Sequence, residues 1–382
     1  MGSWQLQVWS ILLLMSACAC GAQRSDAAST AQAGSTSAAA AGQSSSISAG
    51  ASGQSCPVSQ AEPCTVPDSG APTDVFCTGL YRNRDATQYA PDAKPYTPGV
   101  TLWSDGADKQ RYLYLPPGSA IDTSNMDVWS FPVGTKAWKE FRFDGKLVET
   151  RFFWKRDAMT WETGTYIWSA DQKAASLNTS RTPTLLASGY EIPTAKDCGK
   201  CHHGAADKLL GVEAVALALS SARGLTLERL TADGSLSAPP AILQIELPTD
   251  DTGLAGGALG YLHANCGMPC HSSRGLGHET ELLMRLRADE YWKAGTAGAT
   301  PAASSTESYR AMVNQSAVTG AVTSAFPDAL RITPGQHELS LVWLLSHRRG
   351  DYQMPPLVSH KVDEDGAQRL ANWIDALPPA QH

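Results

Sequence analysis

LAGGALGYLHANCGMPCH, residues 254–271, is the stretch on which the reading of this chain turns. Its first twelve residues are small and apolar enough for a helix. That helix runs into Cys266-Gly-Met-Pro-Cys270-His271, two cysteines and a histidine within one turn region. A tighter copy, Cys198-Gly-Lys-Cys201-His202, lies upstream. From the Cys and His frequencies, such a CxxCH arises by chance roughly 0.005 times in a chain of this size. Downstream, Tyr352-Gln-Met354-Pro-Pro356 sets a methionine in a proline-stiffened loop. Val362-Asp-Glu-Asp365 then opens a last helix, with Leu370, Trp373, Ile374 and Leu377 at three- and four-residue spacing, a core-facing stripe.

The spacing carries a chemistry. Two thiols one short turn apart can reach the two vinyl groups of one haem as thioethers, and the histidine that follows turns its imidazole to the iron. Cys198 and Cys201 with His202, and Cys266 and Cys270 with His271, therefore point to covalent haem c, one or two in all. The extra residue in the second motif leaves a single thioether, or no haem, open there. A zinc half-site would want a second ligand pair, and a redox CxxC a βαβ context. Met354 suits the axial position opposite His271, where a thioether raises the reduction potential. A sixth ligand for the first site is not evident. His263, His278, Met284 and Met312 qualify by residue type alone, and His203 adjoins His202 and cannot reach the other face.

Residues 255–378 resemble a class I cytochrome c domain. The resemblance implies an all-α fold in which the first helix enters the cysteine turn and the last crosses it. It implies thioether links at Cys266 and Cys270, His271 as proximal and Met354 as distal ligand, and Gly257 or Gly260 packed against Trp373. A longer span, about 95–378, is similar to a family of exported bacterial proteins of unknown function with an aromatic β-region, a CxxCH and a cytochrome-like end. The matching pieces are Leu102-Trp-Ser-Asp105, Trp129-Ser-Phe-Pro-Val-Gly-Thr135, Glu149-Thr-Arg-Phe152, Tyr166-Ile-Trp168 and Ile192-Pro193. This likeness implies domain order and haem but no substrate.

Residues 97–170 carry six of the eleven Trp: Trp103, Trp129, Trp138, Trp154, Trp161 and Trp168. The alternating runs 139–143 and 146–152 flank Asp144-Gly145, a hairpin signal. The expected fold class is multidomain: an all-β antiparallel sandwich or barrel within residues 56–190, a first haem segment at 191–253, and an all-α cytochrome c-like domain at 254–382. The aromatics either fill the β core or offer a platform for a glycan, small molecule or partner.

The apolar run 8–17 is too short to span a bilayer and fits a signal-peptide core, so residues 1–17 are read as a leader. Small residues before Cys18 resemble a lipoprotein box, which would make Cys18 the lipidated residue; the alternative is an ordinary secretory signal. Residues 18–55 form a tether: 32 of the 35 residues at 21–55 are Ala, Ser, Gly, Gln or Thr. An extracytoplasmic site follows, on a membrane anchor with the outer membrane favoured, and one disulfide among Cys56, Cys64 and Cys77 is expected. Of 382 residues 18% are charged, with 30 Lys and Arg against 37 Asp and Glu, net −7. That balance speaks against nucleic acid and suits a basic redox partner protein. The expected function is electron transfer; the alternatives are a haem enzyme (peroxidase-like, or a small-molecule oxidoreductase) and a surface binding lipoprotein.

Overall fold

The Asp144-Gly145 turn forms as its sequence demands. Both residues take positive φ, 49° and 74°, the paired left-handed geometry that matches the twist of two flanking strands. It joins β3 (Lys136–Phe143) to β4 (Lys146–Lys155) at the register Phe143↔Lys146. The computed structural model describes residues 64–292 and 299–379. The leader, Cys18, the tether, Cys56 and the first residues of the 293–306 low-complexity stretch lie outside them. With β1 (Lys94–Thr97), β2 (Asp108–Tyr114), β5 (Trp161–Trp168), β6 (Ala175–Leu177), a two-residue strand β7 (Thr184–Leu185) paired to β8 (Glu191–Ile192), and β9 (Arg223–Gly224), the strands make a two-stranded ribbon and one seven-stranded sheet ordered β6-β5-β4-β3-β2-β1-β9. Every pairing in the large sheet is antiparallel.

Strict alternation gives this sheet two different faces. Tyr112, Trp138 and Phe152 stand side by side on one face, with Tyr166 nearby. The lead-in covers them with Val75, Phe76, Leu80 and Tyr81, and Cys64 is joined to Cys77 across it, Cα–Cα 5.2 Å. Each such aromatic removed from water contributes about 1.5–3 kcal/mol. The other face carries Leu113, Ala137 and Phe153 in register and is covered by the helical segments. None of the six tryptophans singled out above is exposed, so they are spent on packing.

The helices are α1 (Ala195–His202), α2 (Ala214–Ala218), α3 (Leu227–Ala232), α4 (Ala255–Leu262), α5 (Asp289–Trp292), α6 (Glu307–Met312), α7 (Gly320–Ala325), α8 (Leu341–Ser346) and α9 (Glu364–Ala376). None among the described residues is long and apolar enough to cross a membrane.

This architecture corrects the expected fold class. There is one open sheet in place of a sandwich or barrel, and no all-α cytochrome c-like domain follows it: helix amounts to only 25% and comes in short pieces. The physical reason lies in what the helices pack against. A single core runs from Tyr96, Leu113, Ala137 and Phe153 of the strands through Leu259 and Leu262 of α4 to Trp373 and Ile374 of α9. The segments between α4 and α9 are rich in Gly, Ser, Thr and Pro, which favour turns over long helices.

Polar staples fix that union. Asn265 accepts from the Trp103 N–H at 2.6 Å, and Asp127 accepts from the Ala288 N–H at 2.7 Å and from Arg285 at 3.1 Å. The expected glycine contact also changes partners. A Cβ on Gly260 would meet Leu247 and Val100, one on Gly257 would meet Arg369, and Trp373 Nε1 donates to Asp250. The close approach between the first and last helices is made by Gly366 of α9, where a Cβ would lie 2.4 Å from the Tyr261 ring. Ala303 and Thr306, at the end of the low-complexity stretch, are buried.

Candidate functional site

The first cysteine motif sits in α1. Its start is fixed by Asp197, whose carboxylate accepts from the Thr194 N–H and hydroxyl at 3.1 and 2.7 Å, a capping box. Beyond the helix, Asp207 ties the chain back to the sheet by accepting from the Phe131 N–H, Lys155 Nζ and Trp161 Nε1. The His202 ring lies against Phe153, centroids 4.3 Å apart. Its Nδ1 is 2.5 Å from the Lys208 carbonyl, which can only accept, so Nδ1 carries the proton and Nε2 keeps a free lone pair. Burial pulls the imidazole pKa down to about 3, so the ring is neutral, the form that binds a metal.

The second motif begins where α4 loosens into a π-helical turn, His263–Gly267. Met268 N–H reaches His263 O at 2.9 Å, and His271 N–H reaches Cys266 O at 2.7 Å, both bonds of the wider i→i+5 type. The second of these spans the motif itself. Between the two cysteines themselves the bond is of the ordinary i→i+4 kind, Cys270 N–H to Cys266 O at 3.1 Å. His271 is held neutral mainly by burial, with Thr280 Oγ1 3.4 Å from its Nδ1. A Cβ on Gly277 would fall 2.8 Å from that nitrogen, so the ring's seat needs a glycine.

The structure brings the two motifs into contact. A Cβ on Gly204, two residues past His202, would lie 2.2 Å from Met268 O and 2.6 Å from Pro269 O. Both motifs then open onto one cavity of about 230 Å³. Cys198, Cys201, His202, Cys266, Cys270, His271 and Met354 all line it. The rest of the wall is mainly apolar, including Leu282, Val318, Val322, Leu341 and Leu345. Met354 is brought there by its N–H bond to Leu345 O, 2.8 Å, at the end of α8. Gln353 braces the loop: its amide nitrogen donates to Pro355 O and Ser359 O, and its oxygen accepts from the Gly350 N–H. Val358, a β-branched residue at φ 51°, also faces the cavity, and such backbone strain persists only where the surroundings impose it.

None of the four thiols is in a disulfide. Burial raises all of them, Cys266 to about 12 and Cys270 to about 11, the reverse of a reactive redox pair. Among the described residues no three His, Cys, Asp or Glu side chains converge as metal ligands, so the cysteine pairs do not assemble a zinc site.

The four residues proposed by type for a sixth ligand separate clearly. Met284 is buried and lines the cavity. Met312 is buried away from it. His278 is exposed, with Nδ1 3.0 Å from Gly275 O. His263 is buried and spent: its Nδ1 accepts from the Leu286 N–H at 3.0 Å and its Nε2 faces Glu213 at 3.3 Å. Glu213 also caps α2 by accepting from the Val215 and Ala216 N–H groups. Sequence reasoning missed this pair, and it missed the cationic lining by Lys139, Arg151 and Arg331.

No family model matches the chain, and neither a curated protein nor a solved structure matches it.

Proposed function

We propose that this chain is an exported c-type haem protein that carries one or two covalently bound haems and works in electron transfer. The observation that supports it best is the convergence of two distant Cys-His motifs and Met354 on a single, largely apolar cavity. The residues fit the group: unpaired thiols, neutral imidazoles with a free nitrogen, and an oily wall. Haem, when bound, supplies one-electron cycling at iron. Cys198, Cys201, Cys266 and Cys270 would bear thioether links. His202 and His271 would be iron ligands, each oriented by what touches its ring, and Met354 would offer a thioether ligand from the same cavity wall. Leu282, Leu341 and Leu345 would exclude water, which tunes the potential.

Lipidation at Cys18, an outer-membrane anchor and a basic redox partner belong to the same proposal; the Cys64–Cys77 bridge supports an oxidising compartment. A haem oxidoreductase is the second reading, favoured by the basic side chains of Lys139, Arg151 and Arg331 in the cavity wall. A pyridine haemochrome spectrum with haem staining tests the main one, on protein from a host that matures c-type cytochromes. Wild type should carry two covalent haems and the Cys270→Ala/His271→Ala double variant one. One haem in both removes the second site, and none in either refutes the proposal. Peroxide reactivity with a five-coordinate iron would favour the second reading.

A further inference from the structure

Three basic side chains cross the sheet in a row. Arg111 on β2 stands opposite Lys139 on β3, which stands opposite Arg151 on β4, all on the helix-covered face. Arg151 is answered by Glu149 at 2.6 Å and Tyr190 at 3.1 Å. Arg111, only 5% exposed, and Lys139 make no hydrogen bond or ion pair among the described residues. Lys109, two residues before Arg111 on the same face, donates to Leu102 O at 2.5 Å, and burial pulls its pKa down to about 7.

The acids that share this space are already engaged. Asp105 accepts from the His360 and Lys361 N–H groups, Asp197 serves Thr194 and Lys200, and Asp363 caps α9. Glu213 is held by α2 and His263. Lys139 lines the main cavity and also a small annex that holds Arg111, so it stands where the two meet. Like charges opposite one another on neighbouring strands destabilise a sheet, and an uncompensated buried cation costs more than an exposed one.

We propose that Arg111 and Lys139 form an anion site in the wall of the cavity, for a carboxylate or small oxyanion. Two sources supply that chemistry. One is a propionate carboxylate of the haem held by the cysteine motifs, an assignment that rests on the c-type reading. The other is a free small anion that enters the cavity as a ligand or substrate, and that assignment stands on the geometry alone.

The test uses full-length protein from a cytochrome c-maturing host, as wild type, Lys139→Met, Arg111→Met and Lys139→Arg. Calorimetric titration with inorganic phosphate and with acetate, at constant ionic strength, reads the free-anion source. Wild type and Lys139→Arg should bind saturably, and Lys139→Met and Arg111→Met about tenfold or more weakly. The pH dependence of the reduction potential reads the propionate source. No anion should then bind, and the inflection should move to higher pH in Lys139→Met but not in Lys139→Arg, because a lost cation raises a carboxylate pKa. Lys139→Met removes a buried amine that has no partner among the described residues, so the anion-free variant should melt no lower than wild type, which separates lost binding from lost folding. An unmoved pH profile together with anion titrations that are absent or equal in all four proteins overturns the proposal. A preparation without covalent haem refutes the c-type reading, yet the calorimetric arm still decides the anion site.

Discussion

Replacing Gly204 by alanine asks whether the two cysteine motifs really touch. A Cβ there would stand 2.2 Å from Met268 O, 2.6 Å from Pro269 O and 2.8 Å from Pro269 C. Ordinary contact lies at ~3.5 Å, so backbone on one side or the other must retreat by about 1 Å. Both sides are backbone, one just past the first motif and one inside the second, and neither can swing aside as a long side chain would. Overpacking of this kind costs about 1–3 kcal/mol. In a chain of this size that lowers the melting temperature by roughly 2–6 °C. Gly199 supplies the control. It lies within the first motif, in α1, with nothing within 4 Å of its Cβ position. Gly199→Ala should therefore stabilise slightly, by up to ~1 kcal/mol of helix propensity. Thermal melting of the three proteins and their haem content are the readouts. Gly204→Ala should melt early and lose occupancy first at Cys266–His271. If Gly204→Ala melts with Gly199→Ala, at or above wild type, the motifs are not in contact and the shared cavity fails with them.

Two further predictions concern stability. The Cys64–Cys77 bridge closes a separation of 13 residues, so Cys64→Ser/Cys77→Ser should cost about 3 kcal/mol, measured by urea unfolding, with reductant having the same effect on wild type only. Burial pushes the Glu213 carboxyl up, but the bonds from His263 and the α2 N–H groups outweigh it and hold the folded-state pKa below its ordinary value. Its stabilising contribution is complete above the unfolded pKa of about 4.3 and is lost as the pH falls through the folded value. Unfolding free energy measured from pH 6 down to 3 should decline more shallowly in Glu213→Gln than in wild type.

The sequence made some features legible because they are local. The Asp144-Gly145 hairpin needs only two residues willing to take positive φ, and the stripe on α9 needs only its own period. Met354 could be placed because prolines announce a stiff loop. The all-α domain was misread for the complementary reason. The apolar faces of α4 and α9 say that something covers them but not what; here the two helices pack on each other, Val100 and Leu247 close on α4, and α8 lies against α9. The turn of wider pitch at His263–Gly267 was not legible because it is set by backbone hydrogen bonds and leaves no residue signature. Arg111, Lys139 and Arg151 each sit at an ordinary alternating position within a strand. They become a row only once register is known, and the sequence does not print register across β2, β3 and β4. The Glu213–His263 pair, 50 residues apart, carried no signal at all.

The wall of the cavity is stitched from pieces that the chain produces far apart. Asp105 is bonded to His360, 255 residues later, and Trp103 to Asn265, 162 residues later. Pairings of such long reach form late in folding. The order of biogenesis follows. Cys198 and Cys201 are synthesised long before residues 341–359, which share their cavity wall, so their thiols stay accessible until those segments are made. On the c-type reading proposed above, that interval is when haem would be attached, and a chain that folded faster would shut it out.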